Sequence, residues 1–403
     1  MNERSHLIPD WTSGKILWRE LPEEAFRLMV SGDFCPTDRG DPGLRVNLSP
    51  DGIADLLPEL ARKDLSIINL EAPLTLAQTP IVKSGPNLKV DPARMDLLRA
   101  GQWDVACCAN NHMGDFGPAA VRETLETLRG NGIETVGAGN RLEEARRPLE
   151  IERRGLRIAV LAFAENEFGM AGRGTAGANP LDPLRNLSEI REASSSADLT
   201  LVLVHGGNEF NPVPSPRVVQ LYRAFADAGA SAVVGGHTHC AQGIEIWKGV
   251  PIVYSLGNFF FPSASAYGGF DWWPGLTVRI SFAAGGAAAL EVIPHSARPP
   301  GDVLRRMRGA SREHFLRHLT VLSSILADDV EIGKYYDAWC LSTAEGYFAR
   351  LCRGLAPADW TREDRVREWV AMRNLHTCEA HNELLTRTLK IFTEHREREA
   401  SDY

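Results

Sequence analysis

Apolar residues in roughly the first 300 positions fall into short runs, and most of these runs end at glycine, asparagine or a charged residue. Runs of about four to eight apolar residues that end in this way are typical of buried β-strands. The strands predicted from this pattern are 26–33, 65–71, 103–109, 133–139, 158–164, 199–205 and 250–259, with another strand entering the stretch 233–240.

Apolar spacings of three and four residues between these runs predict helices at 53–63, at 91–100, from Pro118 onward and at 215–228. A β-hairpin is predicted at 149–164. Residues 165–186 are rich in Gly, Asn and Pro, so we expect a long loop near the functional site. Strands that alternate with helices indicate an α/β fold.

After about residue 300 the pattern changes. Arg, Glu, Leu and Ala dominate, no further strand is predicted, and amphipathic helices are expected at 302–326, 333–353 and 361–398. We therefore divide the chain into a domain at 1–300 and a helical extension at 301–403 that packs on it.

Composition and charge exclude several classes of protein. The 403 residues are 44% hydrophobic and carry a net charge of −8, which argues against nonspecific nucleic-acid binding. The N-terminal residues lack the pattern of a signal peptide, and no stretch of about 18 uncharged apolar residues predicts a membrane span. Seven irregularly spaced cysteines indicate reduced thiols and a cytoplasmic location. Nothing in the pattern predicts the oligomeric state.

Polar residues that can bind a metal follow the predicted strands. Because ligand sites in open α/β sheets lie at the carboxyl ends of strands, we expect these side chains to converge. Oxygen and nitrogen ligands at one sheet edge are what a divalent cation needs. The candidate residues are Asp33, Glu71, Asn111, His112, His205, His237 and His239.

The stretch Val233–Cys240 contains two glycines followed by two histidines at i and i+2. The glycines allow the backbone to approach a ligand closely, and the spacing places both imidazoles on one side of an extended chain. Considered alone, the motif is also compatible with a surface turn that happens to hold two histidines.

Six motifs, in their order and spacing, resemble the CapA-like (poly-γ-glutamate capsule synthesis) branch of the calcineurin-like metallophosphoesterases. The resemblance covers about residues 26–300. It implies a sandwich of two mixed β-sheets flanked by helices, with metals at the strand ends. The motifs are Gly32-Asp33, Asn69-Leu70-Glu71, Asn110-Asn111-His112, His205-Gly206-Gly207, Gly236-His237-Thr238-His239 and Ser255-Leu256-Gly257-Asn258-Phe259.

The same resemblance implies a role for each candidate. One metal site would be formed by Glu71, Asn111, His205 and His237. Asp33 and His239 would belong to a second site, and His112 would be the acid.

The first motif departs from the usual family pattern. These enzymes usually carry Asp-x-His there, whereas this chain has Asp33-Phe34-Cys35. We therefore expect one divalent cation, with calcium as the first expectation and manganese or zinc as alternatives. Asp33 and His239 would then form a carboxylate–imidazole pair beside the cation. His112 would form another, with Asp104 or Asp115.

Two acid/base groups beside a metal suit proton removal on one face of a carbon and proton return on the other. Within the family, the chain is similar to lasso-peptide epimerases, which invert the α-carbon of a C-terminal tryptophan. An aromatic loop at 260–274 would hold the indole, and its substrate contacts are predicted to be Phe260, Trp272 and Trp273.

Other functions remain open at this point. The chain could be a metal-dependent phosphoesterase, a hydrolase of γ-glutamyl polymers or a metal-binding protein without chemistry. The substrate expected for the epimerase is a peptide.

Overall fold

The computed structural model describes residues 6–37, 49–261, 273–297, 303–355 and 365–401. Two mixed β-sheets pack face to face, and helices cover their outer faces, as the family resemblance implies. The strands, numbered along the chain, are β1 (His6–Leu7), β2 (Lys15–Leu17), β3 (Phe26–Phe34), β4 (Leu65–Leu70), β5 (Val105–Cys107), β6 (Glu134–Val136), β7 (Ala138–Gly139), β8 (Leu149–Arg153), β9 (Leu156–Ala164), β10 (Gly177–Ala178), β11 (Leu199–His205), β12 (Ala232–Gly236), β13 (Ile244–Trp247), β14 (Val250–Val253), β15 (Asn258–Phe260), β16 (Pro274–Ala283), β17 (Gly286–Ser296) and β18 (Arg305–Arg306).

Short 3₁₀ turns occur at Pro50–Ile53 and Pro92–Arg94. The α-helices are α1 (Leu57–Leu60), α2 (Met95–Gly101), α3 (Gly117–Gly130), α4 (Leu142–Ala145), α5 (Pro183–Ser196), α6 (Pro216–Asp227), α7 (Gly309–Ile325), α8 (Asp329–Leu355), α9 (Val366–Thr377) and α10 (Glu379–Ser401).

Within the described ranges, sheet I has nine strands in the order β18-β17-β16-β3-β4-β5-β6, with β15 beside β3 and β2 beside β17. In the same ranges, sheet II has seven strands in the order β1-β13-β14-β12-β11-β9-β8, and β7 and β10 form a separate two-stranded sheet. In sheet I the strands β3, β4, β5 and β6 are parallel. In sheet II the strands β9, β11, β12 and β14 are parallel. Each parallel set brings its carboxyl ends to one edge.

Side-chain alternation along the strands divides the apolar core into layers. Leu28 and Val30 of β3 face sheet II, whereas Met29 packs with the helices outside sheet I. On β11, Leu201 lies between the sheets and Val202 packs against the outer helices of sheet II. Alternate residues of a strand point to opposite faces, so each strand contributes to two core layers.

The helix predicted at 53–63 is wrong in extent, because the chain forms the Pro50–Ile53 turn and then the four-residue α1. Pro58 lies in the first turn of α1. Proline has no N–H to donate within a helix and fits only its first turn, so the two turns stay separate. The predicted loop at 165–186 also contains β10 and the start of α5.

The predicted domain boundary at 300 lies outside the described residues. Beyond it, β18 still pairs with β17, so the prediction of no strand after about 300 is wrong. The helix predicted at 361–398 is interrupted at Cys378, whose ψ of 128° is extended, and the chain continues as α9 and α10. This break orients the first residues of α10 toward the rest of the protein.

None of the helices in the described ranges is both long enough and apolar enough to cross a membrane. All seven cysteines are described, and none forms a disulfide.

Candidate metal centre

Four of the predicted metal ligands meet at the carboxyl ends of both sheets. His205 Nε2 lies 3.5 Å from Glu71 Oε1, 3.2 Å from His237 Nδ1 and 3.1 Å from Asn111 Oδ1. All four residues are at least 95% buried. We call Glu71, Asn111, His205 and His237 the primary cluster.

Asp33, Glu71 and His239 form a second group, here called the secondary cluster. One ligand atom from each of them lies within 4.8 Å of the others. Asp33 Oδ2 is 3.7 Å from His239 Nδ1, and His239 Nε2 is 3.8 Å from Glu71 Oε1. The Glu71 carboxylate is thus shared between the two clusters.

The environment of Glu71 is the best indication that a cation belongs here. The side chain is fully buried, and neither carboxylate oxygen has a hydrogen-bond partner among the described residues. Burial, together with the neighbouring negative charge of Asp33, raises the pKa of Glu71 well above its usual value. A buried carboxylate without hydrogen bonds is costly unless a positive charge compensates it, and a divalent cation would do so.

The His205 imidazole of the primary cluster can serve as a neutral ligand. Burial, with the charge of His237 as the next contribution, lowers the pKa of His205 to about 3. Metal binding requires an unprotonated imidazole nitrogen, so His205 meets this requirement at neutral pH. Imidazole nitrogens suit transition metals, whereas calcium is bound by oxygen ligands, so the identity of the cation stays a prediction.

The two histidines that follow β12 occupy an unusual backbone conformation. His237 and His239 have φ values of 89° and 57°, which non-glycine residues rarely adopt. Asp33 accepts a hydrogen bond from the His237 N–H at 3.0 Å, and a Cβ on Gly236 would lie 2.8 Å from Asp33 Oδ1. The strained turn therefore depends on Asp33 and on the absence of a side chain at position 236.

Asn258 sets the orientation of the His239 ring. Its Nδ2 donates to the His239 carbonyl, so its Oδ1 faces His239 Nδ1 at 2.9 Å and accepts a hydrogen bond from the Nδ1–H. The other nitrogen, Nε2, is then unprotonated and faces Glu71. The sequence predicts that Asp33 pairs with this ring, and the two groups are neighbours, but Asp33 itself is hydrogen-bonded by Asn69 and by the His237 backbone.

His112 pairs with Asp115, which resolves the choice between the two aspartates. His112 Nδ1 lies 2.7 Å from Asp115 Oδ2, and because a carboxylate accepts, we assign the ring proton to Nδ1. Lys83 Nζ donates to Asp115 Oδ1 and lies 3.1 Å from the same ring nitrogen. Burial, followed by the charge of Lys83, lowers the pKa of His112. The choice of Asp104 is wrong, because this residue lies at the other end of β5, where it accepts hydrogen bonds from Ser66.

The predicted aromatic contacts are only partly described. Trp272 lies outside the described residues, and Trp273 is partly buried against the apolar core outside sheet I. Phe260 is 1% exposed and packs on Phe34, and its contact with substrate stays a prediction. Phe261, which follows β15, lies against the His239 ring at 4.8 Å between centroids and is an aromatic neighbour of the site.

Cys35, which stands where a histidine ligand is expected, is fully buried in the apolar core outside sheet I. It is absent from the groups of described side chains that converge as possible ligands. The secondary cluster therefore has fewer ligands than the primary one.

From this asymmetry we predict one tightly bound divalent cation per chain. Protein purified without chelator should contain about one equivalent by elemental analysis, and dialysis against a chelator followed by calorimetric titration should return one strong site. Two equivalents held with equal affinity would contradict the prediction and would make the secondary cluster a full site.

Sequence reasoning missed several residues that complete the site. Glu167 accepts a hydrogen bond from Asn111 Nδ2 at 2.6 Å and another from His381 Nε2 at 3.0 Å. Glu165 and Glu167 directly follow β9, a parallel neighbour of β11, so their position at a strand end was a usable signal. Lys83 follows no strand, and His381 lies on a distant helix, so neither residue had such a signal.

Comparison with known proteins identifies the family of this chain. Residues 27–263 match the family model described as bacterial capsule synthesis protein PGA_cap. The chain is 35% identical over 178 residues to the PGA biosynthesis protein CapA of Bacillus subtilis, covering 43% of this chain and 47% of that protein. It is 30% identical over 213 residues to the capsule biosynthesis protein CapA of Bacillus anthracis, covering 51% and 52%. The chain thus spans about half the length of the curated relatives it matches.

Among solved structures, a 5'-nucleotidase precursor from Thermus thermophilus aligns with a TM-score of 0.42 and 14% identity, covering 74% of this chain and 58% of that chain. The family match, by contrast, extends over more than half of the sequence and contains every residue of both clusters. The chain belongs to the PGA_cap family of bacterial capsule synthesis proteins.

Proposed function

We propose that the protein is a metal-dependent hydrolase that cleaves amide bonds in γ-glutamyl polymers. The observation that carries this proposal is the shared carboxylate of Glu71, which is buried without hydrogen bonds between histidine and asparagine side chains. The family relationship supports the substrate class, because two of the relatives named above are capsule or PGA biosynthesis proteins.

A divalent cation held by Glu71, Asn111, His205 and His237 would polarise the scissile carbonyl and make a water molecule more acidic. His112 is the candidate acid/base group, because its Nδ1–H is directed at Asp115 and its Nε2 is left to exchange a proton. In hydrolysis it would accept a proton from the attacking water and return it to the leaving nitrogen as the C–N bond breaks. Asp115 would hold the ring in the required tautomer throughout.

A second candidate is epimerisation of a peptide α-carbon, which the placement of the two imidazoles favours. His112 follows β5 of sheet I, and His239 follows β12 of sheet II, so the two rings come from different sheets. One ring could remove an α-proton while the other returns a proton to the opposite face. The buried Cys35 in the first motif also suits one cation better than the paired metals of a phosphoesterase.

One assay separates these functions. The metal-loaded protein is incubated in D₂O with poly-γ-glutamate oligomers, with a peptide that ends in tryptophan, and with an aryl phosphate. Under the main proposal, only the glutamate oligomers shorten, each cleavage adding one water. Epimerisation instead adds one mass unit to the peptide without cleavage, because the α-hydrogen exchanges with solvent.

Rapid release of phosphate would favour a phosphoesterase and contradict both proposals. Protein treated with chelator is the control, and its activity should return when the cation is restored. Failure of all three substrates to react would leave a metal-binding protein without chemistry and would overturn the proposed hydrolase.

A further inference from the structure

The helical extension contacts the site through the first residues of α10. Glu379 accepts a hydrogen bond from the Asn166 N–H at 2.8 Å, and the Ala380 N–H donates to Glu165 Oε2 at 3.1 Å. His381 Nε2 contacts Glu167 Oε1 at 3.0 Å. Three consecutive residues after β9 are therefore bonded to three consecutive residues of α10, and we call these six residues the clasp.

Glu167 links the clasp to the primary cluster. One of its carboxylate oxygens, Oε1, contacts His381. The other, Oε2, accepts a hydrogen bond from Asn111 Nδ2 at 2.6 Å. On its opposite side, Asn111 presents Oδ1 to His205 Nε2 at 3.1 Å. The path from the extension to the predicted metal ligands is thus two hydrogen bonds long.

This geometry determines which end of the Asn111 amide faces the cluster. An asparagine side chain has a donor end and an acceptor end, and only its oxygen can bind a cation. An ionised carboxylate only accepts hydrogen bonds, so Glu167 selects the NH₂ end and directs Oδ1 toward Glu71, His205 and His237. Both oxygens of Glu167 are used as acceptors in this way, one by Asn111 Nδ2 and the other by His381 Nε2.

His381 is itself held by the extension. Tyr347 of α8 contacts His381 Nδ1 through its hydroxyl at 2.8 Å, and the two rings pack edge to face at 5.6 Å between centroids. Asn374 of α9 also reaches Glu167 Oε1, at 3.4 Å. Three helices of the extension therefore fix the position of one carboxylate beside the site.

We propose that His381 is a positioning residue that acts through Glu167 to present the Asn111 oxygen to the cation. The inference rests on the proposed metal function of the primary cluster. It assigns the extension a direct part in cation binding, although no residue of the extension belongs to either cluster. Loss of a residue that orients a metal ligand typically weakens metal affinity about 10- to 100-fold.

The test measures cation binding and needs no substrate. Titration calorimetry with Mn²⁺ on the full chain should show a dissociation constant raised about 10- to 100-fold in His381→Ala and in Glu167→Gln. His381→Gln keeps a donor near Glu167 and should recover part of the loss. His376→Ala, which changes an exposed histidine on α9, is the matched control and should bind as the unchanged protein does.

Visible absorption of bound Co²⁺ supplies a readout that general loosening of the fold would not reproduce. In Glu167→Gln the bands should shift, because the amide of Asn111 can turn and remove an oxygen ligand. Glu167→Gln also tests the positioning role if His381→Ala does not fold. Wild-type affinity and an unchanged Co²⁺ spectrum in a folded Glu167→Gln protein would overturn the positioning role alone, whereas absence of cation binding by the unchanged protein would overturn the proposed metal function as well.

Discussion

Replacing Glu71 with glutamine should abolish tight cation binding. The substitution keeps the shape of the side chain but removes the negative charge that the two clusters share. We expect the dissociation constant for the cation to rise at least about 100-fold, since loss of a supporting residue alone costs about 10- to 100-fold. Hydrolysis, or epimerisation if the second candidate is correct, should fall to background.

Without the cation, the Glu71→Gln substitution should not lower the thermal stability of the protein. Glu71 is buried without hydrogen bonds, so a neutral amide in its place removes the cost of a buried charge. Thermal unfolding of chelated protein should therefore occur at an equal or higher temperature in Glu71→Gln than in the unchanged chain. Added cation should stabilise only the unchanged chain, because binding to the native state raises stability by mass action.

Glu123→Gln is the matched control. Glu123 is an exposed carboxylate on α3 and accepts a hydrogen bond from the Thr75 hydroxyl. It should retain both the cation affinity and the thermal response to cation. If Glu71→Gln bound the cation as tightly as the unchanged chain, the shared carboxylate would not be a ligand.

Replacing His112 with alanine should lower kcat and leave cation binding intact. His112 belongs to neither cluster, and its ring is directed by Asp115, which matches a general acid/base rather than a ligand. A positioned acid/base group typically contributes about 10²- to 10⁴-fold to the rate, so kcat should fall by that factor. Stopped assays on the substrate that the unchanged protein turns over, together with calorimetric titration of the cation, would measure the two effects separately.

Asp115→Asn should show a smaller loss in kcat, because it disturbs the tautomer of His112 without removing the ring. Asp104→Asn is the control variant, since Asp104 accepts a hydrogen bond from Ser66 at the other end of β5. Equal losses in Asp104→Asn and Asp115→Asn would contradict the assignment of the pair. A large fall in cation affinity in His112→Ala would make His112 a ligand instead.

Local sequence pattern predicted the strands that carry the site because each buried parallel strand is a short apolar run with a polar residue at its end. The positions of Asp33, Glu71, His205 and His237 could be predicted in this way, since parallel strands bring their carboxyl ends together. The same reasoning could not choose between Asp104 and Asp115. Both aspartates are close to His112 in the sequence, but they lie at opposite ends of β5.

Contacts between distant parts of the chain left no local signal. His381 reaches Glu167 across 214 positions, and its own helix has the ordinary alternation of apolar and charged residues. The predicted single helix at 361–398 was wrong at Cys378, where the backbone becomes extended. Because helical periodicity continues on both sides of the break, periodicity alone could not place it. Asn258 was recognisable as part of a motif, but its control of the His239 tautomer depends on folded geometry.

The clasp also has a consequence for the order of events during synthesis. A chain leaves the ribosome N-terminal end first at about 5–20 residues per second, so His381 follows Glu167 by roughly 10–40 s over their separation of 214 positions. Both sheets can be translated before α10 exists, and during that interval nothing selects the oxygen end of Asn111. Under the proposed role of His381, the site reaches its full cation affinity only after α10 has been translated, although every residue of the primary cluster is present earlier.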